Sequence, residues 1–105
     1  MDLDQLARAL AAFATYEPTQ MPLHHCQLFL EVARRGHCTY RELEEELSLT
    51  NSSVSRTCTA LASTHRTGRP GLNLLELNQD PAEGRRFLVS LSKDGKALLR
   101  QLRGL

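Results

Sequence analysis

The chain has 105 residues, 41% of them hydrophobic and 24% charged, with a formal net charge of +1. Those proportions suit one folded domain over residues 1–105 and argue against a disordered chain or two independent modules. No apolar run approaches a membrane span, and the opening "MDLDQL" carries acids where a secretory leader carries bases, so a cytoplasmic protein with no membrane partner is expected.

Leu3, Leu6, Ala7, Leu10, Phe13 and Ala14 recur at steps of three and four, which predicts an amphipathic helix over about Leu3 to Thr15. "YEPTQMP" breaks it, and Pro22 suits the first turn of a second helix, "LHHCQLFLEVARR", with Leu28, Phe29, Val32 and Ala33 on one side and Gly36 as its stop. Arg34 and Arg35 fall in its last turn, where cations meet the negative end of the helix dipole. "TYRELEEELSLTNSSVSRTCTALAS" holds two short helical patterns separated by "SLT". Leu43 and Leu47 anchor the first, Leu49 plugs the break, and Val54, Cys58 and Leu61 anchor the second, so a helix-turn-helix is predicted. Thr50 is placed to cap the second helix.

After the basic connector "THRTGRPG", the runs "LNLLEL" and "RRFLVSL" show partial alternation and read as two strands. The intervening "NQDPAEG" is rich in turn formers and predicts the protruding tip of an antiparallel hairpin. "SKDGKALLRQLRGL" reads as a last helix capped by Ser92, with Asp94 near its positive end and Arg100 and Arg103 near its negative end. The expected fold class is therefore α+β, mostly α: a winged helix-turn-helix with a two-stranded β-hairpin wing.

Charge is unevenly divided. Residues 1–50 hold four Arg against eight acids, a balance of −4, while residues 51–105 hold nine Lys or Arg against four acids, a balance of +5. The basic half begins where the hydroxyl-rich helix "NSSVSRTCTAL" begins. Asn51, Ser52, Ser53, Ser55, Arg56, Thr57 and Thr59 lie off the Val54, Cys58, Leu61 stripe, so an outward face of short donors and acceptors is expected to approach phosphates and base edges of duplex DNA. The N–H groups at the start of that helix suit a phosphate.

"TYRELEEELSL", "LTNSSVSRTCTALA" and "AEGRRFLVSLSKDGKALLRQL" closely resemble the DNA-binding core of MarR-type transcription regulators, across roughly Pro22 to Leu102. The resemblance implies that Ser52, Ser53 and Arg56 stand at the major groove. Glu83-Gly84-Arg85 falls where such regulators have Asp-x-Arg at the wing tip, which implies Arg85 for the minor groove; Arg86 is expected at phosphate, and His65, Arg66 and Arg69 of the connector could also reach the backbone. Sequence-specific DNA binding and transcriptional regulation follow from the resemblance, as does a homodimer on a pseudo-palindromic site. In such regulators longer terminal helices carry the dimer and often a ligand pocket. Here the helices at 1–15 and 92–105 are the candidate dimer elements, with Leu3, Leu6, Leu10, Leu98, Leu99 and Leu102 to spare, and no small-molecule effector is expected.

Other clusters carry less. "HHC" at 24–26 and "HC" at 37–38 offer zinc-compatible atoms, but consecutive helical residues do not converge on one ion, so neither metal nor cofactor is expected. Three cysteines without framework spacing fit reduced thiols, and Cys58 lies on the core stripe rather than in the exposed electropositive setting of a redox sensor. "ELEEE" is one solvated helical face, and no nucleophile, base and oxyanion donor assemble, so an enzyme is not expected. The alternative is a winged helix that modulates a polymerase or another regulator by protein contact, with little DNA binding.

Overall fold

A computed structural model describes residues 1–63 and 71–105, apart from the Arg85 side chain. Chain order is α1 (Leu3–Ala14), α2 (Leu23–Arg35), β1 (His37–Thr39), α3 (Tyr40–Leu47), α4 (Asn51–Leu61), β2 (Leu75–Asp80), β3 (Glu83–Leu91) and α5 (Lys93–Arg103). This is a mostly helical winged helix-turn-helix.

Local chemistry sets the helix ends. At α1, the Asp2 carboxylate accepts from the Gln5 N–H and the Gln5 amide oxygen accepts from the Asp2 N–H, a reciprocal cap. Thr39 and Glu42 repeat that arrangement at α3. Thr50 and Ser92 cap α4 and α5 as the sequence predicts, each hydroxyl accepting from the N–H three residues on. Pro22 stands one position before α2 rather than inside its first turn, and Gly36 stops the helix at a φ of 89°, a conformation that side chains with a Cβ resist.

The sheet has three strands in the order β1-β3-β2, one more than the sequence suggests. The addition is His37–Thr39, which pairs antiparallel with β3 through His37↔Ser90, Cys38↔Val89 and Thr39↔Leu88. Three residues that follow a helix stop and end on a helix cap are too few to show alternation, so only the partner strand reveals them.

The hairpin also differs from expectation. Strand pairing runs through "NQD" to Asp80 and resumes at Glu83, leaving only Pro81 and Ala82 at the tip. Gln79 pairs with Phe87 and Asp80 with Glu83, so residues 84–86 bulge out of the ladder. Arg85 thus lies in that bulge, on β3 rather than at the tip. Asp80 explains how turn formers stay in register: its Oδ1 accepts from the Ala82 N–H and its Oδ2 from Arg86, which closes the chain over two residues.

One core cluster joins every layer. Phe13 of α1, Leu28, Phe29 and Val32 of α2, Leu43 of α3, Val54, Cys58 and Leu61 of α4, Leu75, Val89 and Leu91 of the sheet and Leu98 of α5 are all buried in it. Each such Leu, Val or Phe contributes about 1.5–3 kcal/mol by leaving water. Phe13 meets Phe29 edge to face at 5.6 Å, tying the first helix to the second. No helix among the described residues is long and apolar enough to cross a membrane.

Candidate nucleic-acid interface

The α4 face is built by inward and outward partition of its residues. Val54, Cys58 and Leu61 are fully buried, and Leu49, in the turn before the helix, packs partly buried against the same cluster. On the other side, Ser52 and Arg56 are exposed, and Ser53 and Ser55 half-buried. Ser52 and Ser53 precede Arg56 by four and three residues, so the three share one helical ridge. Arg56 has no ion-pair partner among the described residues, whereas Arg34, Arg35, Arg41 and Arg86 each have one.

Thr57 corrects the expected face. It is 1% exposed, and its hydroxyl donates to the Ser53 carbonyl at 2.8 Å, so it belongs to the core side of α4 and offers nothing to an outside partner. Thr59 bonds back in the same way, to the carbonyls of Ser55 and Arg56. Much of this helix's hydroxyl content therefore satisfies its own backbone. Asn51 is exposed but not free: its Nδ2 donates to Oε2 of Glu44 on α3 at 3.0 Å. Glu44 is a contact the sequence reading missed, because "ELEEE" looks like a plain solvated face until α4 is laid beside it.

On the wing, Arg86 is paired locally. Arg86 donates through Nε at 2.8 Å and Nη2 at 2.5 Å to Oδ2 of Asp80, and its Nη1 lies 3.9 Å from Glu83. Its guanidinium braces the bulge while its side chain stays 46% exposed. The Ala82 N–H first and then Arg86 hold the Asp80 carboxyl below its ordinary range, and Asp80 in turn raises Arg86. The Arg85 side chain and His65, Arg66 and Arg69 lie outside the described residues. Phe87 is partly exposed and packs on Tyr40 at 5.8 Å, docking the wing on the start of α3.

Behind α4, charge pairing fixes α2 to α3. Buried Glu31 accepts from Arg34 and Arg35, and Arg35 reaches on to Glu42 and Glu46. Hydrogen bonding from Arg34 pulls the Glu31 carboxyl down despite its burial. A groove of about 800 Å³ between α3 and the wing is lined by Arg41, Glu42, Glu45, Asp80, Glu83 and Arg86 among others. Among the described residues no group of three or more His, Cys, Asp or Glu could hold a metal ion. Cys38 and Cys58 are fully buried, and burial pushes their thiols up to about 11 and about 12. Such thiols are poor nucleophiles.

The caps, the turn, the buried stripe and the wing define a winged helix-turn-helix of the kind found in MarR-type transcription regulators. Comparison with solved structures gives the particulars. A probable transcriptional regulator from Pseudomonas aeruginosa is 25% identical with a TM-score of 0.62, over 95% of this chain and 70% of that one. A MarR mutant from E. coli complexed with operator DNA is 20% identical with a TM-score of 0.66, over 97% of this chain and 68% of that one. PcaV from Streptomyces coelicolor, a transcriptional regulator in complex with its natural ligand, is 24% identical with a TM-score of 0.59, over 95% and 64%. This chain thus spans about two thirds of their lengths. No protein-family model and no curated protein matches the sequence.

Proposed function

We propose that this chain is a sequence-specific, double-stranded DNA-binding regulator of transcription, with α4 in the major groove and the wing over the adjacent minor groove. The observation that carries the proposal is the ridge of Ser52, Ser53 and Arg56, turned outward on a helix whose opposite stripe is fully buried, with the Arg56 guanidinium lacking an ion-pair partner among the described residues. Short hydroxyls allow the helix backbone to come close to the duplex, and an uncommitted guanidinium can take a guanine edge or a phosphate. Arg85 is assigned to the minor groove on its place in the wing bulge. A MarR mutant among the structural neighbours is complexed with operator DNA, which supports a DNA-binding reading of this fold.

A homodimer is part of this reading. Leu3 is 84%, Leu6 45% and Leu10 51% exposed, and at steps of three and four they form one apolar stripe on α1, which itself packs against α5. Pairing those stripes would bring two α4 helices to two half-sites of an inverted repeat. No small-molecule effector is assigned.

The test is selection of bound duplexes from a random pool while the mass of the complex is recorded. An enriched inverted repeat bound at two chains per duplex is the expected result. If the pool returns unenriched, the chain acts instead through protein contact, a reading to which the locally paired Arg86 and the acidic α3 would then belong.

A further inference from the structure

We propose that Glu44 is a specificity-determining residue of the α4 face, acting by fixing which atom of the Asn51 amide a base edge meets. The inference rests on the DNA-binding reading above. Asn51 is the first residue of α4, and the N-terminal residues of a recognition helix are those that contact base edges in a helix-turn-helix. Its Nδ2 donates to Glu44 Oε2 at 3.0 Å.

An asparagine amide ordinarily chooses between two orientations, because its oxygen accepts, its nitrogen donates, and a half-turn exchanges them. A carboxylate removes the choice, since an ionised carboxylate only accepts. Facing Glu44, the amide must turn its nitrogen to the glutamate, and Oδ1 becomes the atom held ready for an outside partner. In the major groove, adenine N6 and cytosine N4 are the donors that such an oxygen can use, while guanine O6 and thymine O4 are acceptors that would face it oxygen to oxygen. The base met by Asn51 Oδ1 is therefore adenine or cytosine, and the second Nδ2 hydrogen can donate to adenine N7 beside it. Without Glu44 the amide can flip and donate to guanine or thymine, and the discrimination relaxes. Glu44 approaches no base in this scheme; it acts through Asn51. Its negative charge near a polyanion costs affinity for every duplex alike, so removing it strengthens binding without regard to sequence, separately from the change in preference.

The experiment is random-pool selection followed by base counting at each position, for the wild-type chain, Glu44→Ala, Glu44→Gln and Asn51→Ala, each shown by thermal unfolding to be folded. The wild-type column that Asn51→Ala erases should favour adenine plus cytosine over guanine plus thymine by about fivefold, the ratio one net hydrogen bond supplies. Glu44→Ala should bring that ratio to about twofold or less while leaving the Arg56 column intact. Glu44→Gln, whose amide can offer either atom, should relax it in the same direction. An unchanged column in Glu44→Ala, a column of guanine or thymine, or no column erased by Asn51→Ala would overturn the inference while leaving DNA binding standing. A wild-type chain that enriches no sequence would overturn both.

Discussion

Arg86 closes over Asp80, its Nε and Nη2 both donating to one oxygen of a carboxylate that is 7% exposed, while the other oxygen accepts from the Ala82 N–H. The pair spans the bulge of residues 84–86 and so fixes the shape of the wing. Asp80→Asn should lower the melting temperature and Asp80→Ala lower it further, because Arg86 and the Ala82 N–H lose their shared acceptor. The pH dependence has a definite sign. Since the folded carboxyl is held below its ordinary 3.8, its contribution is complete above that value and is lost as pH falls through the folded pKa. Thermal unfolding of wild type and Asp80→Asn from about pH 6 down to about pH 2 should show the two curves converging at the acid end.

Arg56 and Thr57 are sequence neighbours on opposite sides of α4. Arg56→Ala should weaken duplex binding at least several-fold and, if the guanidinium meets phosphate, reduce the salt slope by about one. Thr57→Val should leave affinity within about twofold, since its hydroxyl is spent on the Ser53 carbonyl inside the fold. Fluorescence anisotropy of a selected duplex across a salt series measures both. Equal losses for the two variants would contradict the partition of this helix.

His25 is half-buried, with its ring 4.6 Å from that of His24. Burial first, and the neighbouring His24 second, pull it down from 6.5 to about 4. Between those values the unfolded chain binds a proton that the folded chain refuses, so stability rises with pH across the window and falls as pH drops from 6.5 toward 4. With solvent screening of a half-exposed ring, the loss is on the order of 1 kcal/mol. His25→Leu should flatten that part of the profile in urea titrations at stepped pH. The further fall below about 4.5, where Glu31 and Glu42 take up protons, should remain.

Gly95, three residues after the Ser92 cap, is buried where α5 starts against Leu74, the residue before β2. A Cβ there would lie 2.1 Å from the Leu74 carbonyl oxygen, far inside van der Waals contact distance, and that oxygen is backbone and also accepts from the Ser92 N–H. Gly95→Ala should therefore cost roughly 1–3 kcal/mol by overpacking, although alanine is the better helix former. Chemical denaturation measures it, and a stabilised variant would show that α5 can move away freely.

Sequence alone carried the helices, because their signals are local. Thr50 and Ser92 lie where a cap must lie, Gly36 where a chain must turn, and the Val54, Cys58, Leu61 stripe needs only spacing to declare its buried side. The same local logic put Asn51, Ser52, Ser53, Ser55, Arg56, Thr57 and Thr59 off that stripe, and the family resemblance singled out Ser52, Ser53 and Arg56 among them. That logic failed at Thr57, which lies beside the stripe rather than on it and whose burial depends on what packs around α4.

What only the tertiary structure decided are the pairings between residues far apart or oddly spaced: β1 against β3, Asp80 with Arg86 across a bulge, Glu44 with Asn51 across the turn. A periodic pattern reports the average environment of a segment, whereas a strand of three residues, a bulge or a single amide takes its meaning from one particular partner. Sequence thus determined which faces this protein turns inward and outward, and the folded chain decided which polar atoms on those faces are already taken.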